Sequence, residues 1–137
     1  MRKVIIISIL LCLSTTITWA EQVVIETKNT TMVLNVENNK QPQYVYYGTK
    51  LSAYDLQHLQ VPRNGRMDAY PAYGMNCPAE TAIAMTHSDG NLSTELYVSG
   101  INKQGDITKI NLKDPQYPVS VALCYKAYFD EDMIETW

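Results

Sequence analysis

The sequence predicts an all-β protein, an antiparallel β-sandwich. Three observations carry this. Short β-branched and aromatic runs recur from Gln22 onward, clusters of turn-forming residues separate them, and no segment has the apolar period of a helix of ordinary length.

Residues 1–20 stand apart from that pattern. Arg2 and Lys3 give a positive start, Val4 to Leu13 an apolar run, and Thr18-Trp19-Ala20 a small-residue end, which together read as a secretory signal peptide cleaved after Ala20. Ser14, Thr15, Thr16 and Thr18 break the run before the roughly 20 apolar residues that a membrane span requires. The expected mature protein is therefore a single domain, residues 21–137, exported to a periplasmic or extracellular location and free of the membrane after cleavage.

Gln22 to Glu26 and Thr31 to Glu37 read as the first two strands, and Pro42 to Gly48, with Tyr44, Val45, Tyr46 and Tyr47, as the third. Asn38 to Gln41 supplies polar turn formers between the second and third. Ser52 to Leu59 suits one or two helical turns: Ser52 stands at a cap position, Asp55 where a capping-box acid belongs, and Leu56 and Leu59 share a face. Pro62 ends that stretch. Val61 to Pro78 has no steady period and is rich in Pro, Gly, Asn and aromatic residues, so it reads as a long ordered loop.

Thr81 to His87 and Leu92 to Ile101 flank Ser88-Asp89-Gly90-Asn91, and Asp-Gly between two such runs predicts a β-hairpin. Ile107 to Leu112 is a further strand. In Val119 to Lys126 the period of two puts Val119, Val121, Leu123 and Tyr125 on one face and Ser120, Cys124 and Lys126 on the other. A turn at Asp130 to Asp132 opens a last strand at Met133, whose open edge and exposed Trp137 are expected of a fragment.

Charge narrows the partners. Two of the 11 basic residues lie in the leader and none of the 14 acidic ones does, so residues 21–137 carry a net charge of −5. Nucleic acid is not an expected partner, because binding it takes a basic face that displaces counterions. Beyond Cys12, two cysteines remain, Cys77 and Cys124; in an exported chain they invite a disulfide worth about 4 kcal/mol, or else Cys124 is a packed apolar residue and Cys77 a loop residue that never meet. Two cysteines with His58 and His87 are too few well-spaced ligands for a zinc site, and no cofactor motif is present.

No residue of the chain is assigned a catalytic role. Asp130, Glu131 and Asp132 are consecutive at a turn, which suits a solvated acidic loop better than the paired carboxylates of a glycosidase, roughly 5 to 9.5 Å apart. His87, Ser88 and Asp89 are adjacent on a tight turn and cannot form a triad. His58 reads as a surface residue. The ten tyrosines divide differently. Tyr44, Tyr46 and Tyr125 follow strand period, whereas Tyr70 and Tyr73 lie in the long loop beside Asp68 and Asn76. Those four residues form the candidate site, lining a carbohydrate pocket or a subunit contact if they are not simply structural.

Five segments, in order, resemble the amino-terminal domain of glycoside hydrolase family 36, the α-galactosidases: Ile25-Glu-Thr-Lys-Asn-Thr30, Val45-Tyr-Tyr-Gly48 with Lys50-Leu51, Tyr70-Pro-Ala-Tyr-Gly74, Thr86-His-Ser-Asp-Gly-Asn91, and the closing strand and turn at Leu123 to Ile134. The sequence departs from that family at Ala69, often acidic, and at Met75-Asn-Cys-Pro-Ala79, where many members carry Gly-Asp-Phe-Arg. The resemblance implies part of a β-supersandwich that precedes a (β/α)₈ barrel, with both catalytic aspartates in the barrel and outside this sequence. It implies retaining hydrolysis of terminal α-galactosyl linkages by the parent enzyme, with α-galactosides as its ligand, a possible homo-oligomer, and no activity in this chain alone. The alternatives are a free-standing carbohydrate-binding sandwich and a structural or assembly module.

Overall fold

The computed structural model describes residues 20–61, 67–75 and 80–137. The leader, Asn76 and Cys77 lie outside the described residues, so neither the signal peptide nor the Cys77–Cys124 pairing is addressed by the fold.

β-Branched runs become strands where the sequence places them. β1 (Ala20–Glu26), β2 (Thr30–Glu37) and β3 (Gln43–Thr49) form one antiparallel sheet in that order. β4 (Tyr97–Gln104), β5 (Ile107–Lys113), β6 (Ser120–Tyr128) and β7 (Met133–Thr136) form a second antiparallel sheet, again in chain order. Between the sheets lies one core. Val23, Ile25, Leu34 and Val36 from the first meet Val98, Ile110, Leu112, Leu123 and Tyr125 from the second, all of them buried. The two antiparallel sheets about a shared core are the arrangement of a β-sandwich.

The period-two reading of β6 holds. Leu123 and Tyr125 are buried, Val119 and Val121 pack against the same core, and Cys124 and Lys126 on the other face are only half-buried. Burial drives the Tyr125 hydroxyl far above the usual tyrosine range, helped by its hydrogen bond with Tyr44 across the sheets.

Backbone hydrogen bonds stitch the sheets together at both ends. Near the β2–β3 turn, Asn39 N–H donates to the Val98 carbonyl (3.1 Å) and Val98 N–H to that of Lys40 (2.8 Å). Val98 is thereby diverted, and the β4–β5 register shifts between Val98 and Gly100 as a bulge. At the opposite end, Lys28 N–H donates to the Phe129 carbonyl (3.1 Å), and the Asp132 carboxylate accepts from Thr27 Oγ1 (2.8 Å), Asn29 N–H (2.7 Å) and Asn29 Nδ2. Those donors, Asn29 N–H first, hold the Asp132 carboxyl below the usual range.

The short helix α1 (Ala53–His58) starts where its capping box predicts: Asp55 N–H donates to Ser52 Oγ and Ser52 N–H to Asp55 Oδ2, both at 3.2 Å. No helix among the described residues is long and apolar enough to cross a membrane.

One expectation fails. Thr81 to His87 and Leu92 to Ile101 do not pair as a hairpin. The turn itself forms, with Gly90 at φ +85° and His87 N–H donating to the Asn91 carbonyl (2.8 Å), but the flanking segments find other partners. Ile83 bridges in parallel with Ala72, Thr94 N–H donates to the Tyr73 carbonyl (2.9 Å), and Glu95 N–H donates to Asp114 Oδ2 (2.8 Å). These tertiary bonds consume the groups a ladder would use. The ladder starts only at Tyr97, and β4 turns instead through Gly105 (φ +61°) into β5.

Candidate functional site

The loop that holds Tyr70-Pro-Ala-Tyr-Gly74 is built along the free side of β3. Tyr44 N–H donates to the Met67 carbonyl and Ala69 N–H to that of Pro42, both at 2.8 Å, so Asp68 bridges Gln43. The Gln41 side-chain amide, oriented to satisfy its surroundings, donates to the Asp68 carboxylate at 2.8 and 3.1 Å. Tyr70 then turns inward and packs, half-buried, against the core. Ala72 is fully buried beside it, and Tyr73 N–H donates to the Ile83 carbonyl (3.1 Å) while the Tyr73 ring stays 47 % exposed.

Among the described residues, Asp68, Tyr70 and Tyr73 therefore take three different places rather than one pocket. Asp68 is a tether, Tyr70 a wedge into the core, and Tyr73 a surface ring; Asn76 lies outside the described residues. Among the described residues of the loop, Val61 at its start and Gly74 and Met75 at its tip line a neighbouring groove.

Gly74 has a structural reason to be glycine. Its φ is +95°, and a Cβ there would stand 2.6 Å from Ser93 Cβ and 2.8 Å from Ser93 Cα, so both its backbone and its neighbour exclude a side chain. Gly74→Ala is expected to destabilise the chain by about 2 kcal/mol, from backbone strain of about 1–2 kcal/mol with steric contact added. Thermal melting monitored by circular dichroism checks it; an unchanged melt would mean that the loop does not sit against Ser93.

The Thr86 to Asn91 motif is likewise architecture. The Tyr117 hydroxyl donates to Asp89 Oδ2 (2.8 Å) and accepts from Asn91 Nδ2 (2.9 Å), while the His87 ring stacks on that of Tyr117 at 3.5 Å and 7°. His87 Nε2 lies 3.0 Å from Thr94 Oγ1 and 3.1 Å from the Ser93 carbonyl. The Asn91 N–H, then the Tyr117 hydroxyl, hold the Asp89 carboxyl below the usual range. The turn is thus locked to the β5–β6 connection, and His87 faces Tyr117 rather than a serine nucleophile. The side-chain amides of Asn29 and Asn91 are both engaged in internal bonds, to Asp132 and Tyr117 respectively.

The groove beside Gly74 has a volume of about 420 Å³ and is walled by polar side chains from β2, the β2–β3 turn, the start of β3 and the approach to β4. Glu37 pairs with Lys40 and accepts from Asn35 Nδ2 (3.3 Å), and these partners, Lys40 first, hold its carboxyl below the usual range. Opposite, the Tyr97 hydroxyl donates to Glu95 Oε2 (2.9 Å), which raises the pKa of the phenol. Sequence reading missed Glu37, Gln43, Glu95 and Tyr97. The available signal was the alternation in β2, where Asn35 and Glu37 flank buried Val36 and must face outward. Among the described residues, no group of three or more His, Cys, Asp or Glu side chains could hold a metal ion.

Over residues 40–137 the chain matches the glycosyl hydrolase family 36 N-terminal domain. The chain belongs to this family. Its fold is also similar to the crystal structure of the α-galactosidase from Lactobacillus brevis, with a TM-score of 0.65 and 16 % identity over 84 % of this chain and 20 % of that one. The chain thus spans about one fifth of that enzyme's length. Comparison with curated proteins gave no match. Within this family 36 domain, the Tyr-Pro-Ala-Tyr-Gly and Thr-His-Ser-Asp-Gly-Asn motifs meet: Gly74 abuts Ser93, and Thr94, bonded to His87, donates its N–H to Tyr73. The two motifs mark a packing junction at the rim of the polar groove.

Proposed function

We propose that this chain is the non-catalytic amino-terminal domain of an exported α-galactosidase, in which residues 1–20 direct export and a separate barrel hydrolyses terminal α-galactosyl residues. The observation that carries the reading is the family 36 N-terminal domain match over residues 40–137, on a fold shared with one fifth of an α-galactosidase. The carboxylates nearest to a catalytic pattern support it, because Asp132 is occupied by Thr27 and Asn29, and Asp89 by Asn91 and Tyr117. In the parent enzyme the domain would scaffold the barrel, and the exposed Tyr73 ring would contact the barrel or a second subunit.

Two measurements test this. Source DNA read beyond the Trp137 codon is expected to continue in frame into a barrel with paired aspartates. The purified chain is expected to release no nitrophenol from 4-nitrophenyl α-galactoside, and turnover that survives removal of contaminating enzyme would overturn the non-catalytic reading. A stop codon directly after Trp137 would favour a free-standing binding module instead.

A further inference from the structure

The polar groove has the chemistry of a ligand site rather than of a merely hydrated crease. Its volume of about 420 Å³ lies within the roughly 300–1,000 Å³ of small-molecule clefts. Its floor includes Met75, only 7 % exposed, and the half-buried Tyr97 ring forms part of one wall. Around these stand groups that internal bonds leave available. Among the described residues, the side-chain amides of Asn39 and Gln43 have no hydrogen-bond partner, and Glu95 uses one carboxylate oxygen on Tyr97 while Oε1 takes no donor.

Charge selects the class of ligand. Lys40 is already paired with Glu37, which leaves Glu95 as the unbalanced charge of the lining and makes the groove unfavourable to phosphates and other anions. A carboxylate oxygen that only accepts, set beside amides that both donate and accept, matches hydroxyl groups, each a donor and an acceptor at once. Tyr97 in the lining adds aromatic surface of the kind on which a pyranose packs.

We propose that this groove is a carbohydrate-binding site that takes a neutral oligosaccharide, with Glu95 and Gln43 bonding sugar hydroxyls beside the Tyr97 ring. The site borders the tip of the loop at Gly74 and Met75 but takes in neither Tyr70 nor Tyr73. Its sugar specificity rests on the reading of the chain as part of a glycoside hydrolase, whereas its existence rests on the lining itself.

Saturation-transfer NMR and titration of the full chain with melibiose, and separately with inorganic phosphate, test the site. Melibiose is expected to bind, Glu95→Gln and Gln43→Ala each to weaken it at least tenfold, and Tyr73→Ala to change it less than twofold, with melting curves showing every variant folded. Phosphate is expected not to bind. No sugar signal from a chain that melts cooperatively would overturn the groove, and so would binding lost in Tyr73→Ala but kept in Glu95→Gln, or phosphate bound in preference to sugar. The proposed function would survive each of those results, because the continuing reading frame and the absence of turnover judge it separately.

Discussion

Leu34→Ala is expected to lower the unfolding free energy by about 3–4 kcal/mol, the range for deleting a fully buried leucine side chain whose cavity collapses only in part. Leu34 is 0 % exposed and sits in the middle strand of its sheet, in register with Val23 on one side and Tyr44 on the other. Its side chain belongs to the cluster that joins the two sheets. A small sandwich has few such positions, and removing one weakens the contact between sheets as well as the strand itself. The melting temperature should fall by about 12–16 °C at about 4 °C per kcal/mol. Leu92→Ala makes the same chemical change at a site 48 % exposed and should stay within about 0.5 kcal/mol of the parent. Equal losses in the two variants would show that the sheets do not enclose a common core.

Legibility followed the range of the interactions. β1, β2, β3, β5, β6 and the cap of α1 are set by local patterns, namely period-two burial and the Ser52–Asp55 capping box, and they were readable for that reason. The segment from Thr81 to Leu96 was misread because its backbone partners are Ala72, Tyr73, Met75 and Asp114, residues that no local rule connects to it. The Asp-Gly turn was right and its consequence wrong: Gly90 bends the chain, yet the bend leads into two extended segments held by third parties. The surroundings of the candidate residues were hidden for the same reason. Tyr70 and Tyr73 were legible as loop aromatics, but only the packing of that loop reveals that Tyr70 faces the core. Glu37, Gln43, Glu95 and Tyr97 converge from segments more than fifty residues apart, through the Asn39–Val98 contact between the sheets.

Asp114 carries the second large effect and the clearest dependence on pH. Its carboxylate is 2 % exposed and accepts three backbone donors, Gln116 N–H (2.8 Å) and Tyr117 N–H (2.9 Å) on Oδ1 and Glu95 N–H (2.8 Å) on Oδ2. It closes the loop before β6 and also anchors the misread segment where it enters β4. Burial alone would raise its pKa, but the donors from Tyr117, Gln116 and Glu95 outweigh burial and hold it below the usual carboxylate range. Asp114→Ala leaves those N–H groups unpaired and is expected to cost about 3 kcal/mol, at about 1–3 kcal/mol for each buried donor abandoned and some of them reaching water. Because the folded-state pKa is depressed, the ionised group stabilises the fold fully above the unfolded value of about 3.9, and that contribution is lost as pH falls through the folded value. The parent should therefore hold its melting temperature from pH 7 to 5 and lose it steeply below about pH 4. Asp114→Asn keeps the shape but turns an amide donor toward one of the N–H groups, so it should be destabilised at pH 7 and its deficit against the parent should shrink toward pH 3. Asp89 and Asp132, also held below the usual range, still titrate in that variant, so some acid sensitivity remains. A deficit that stays constant from pH 7 to pH 3 would mean that folding leaves the Asp114 pKa unshifted, and the three-donor cage would not be the origin of its effect.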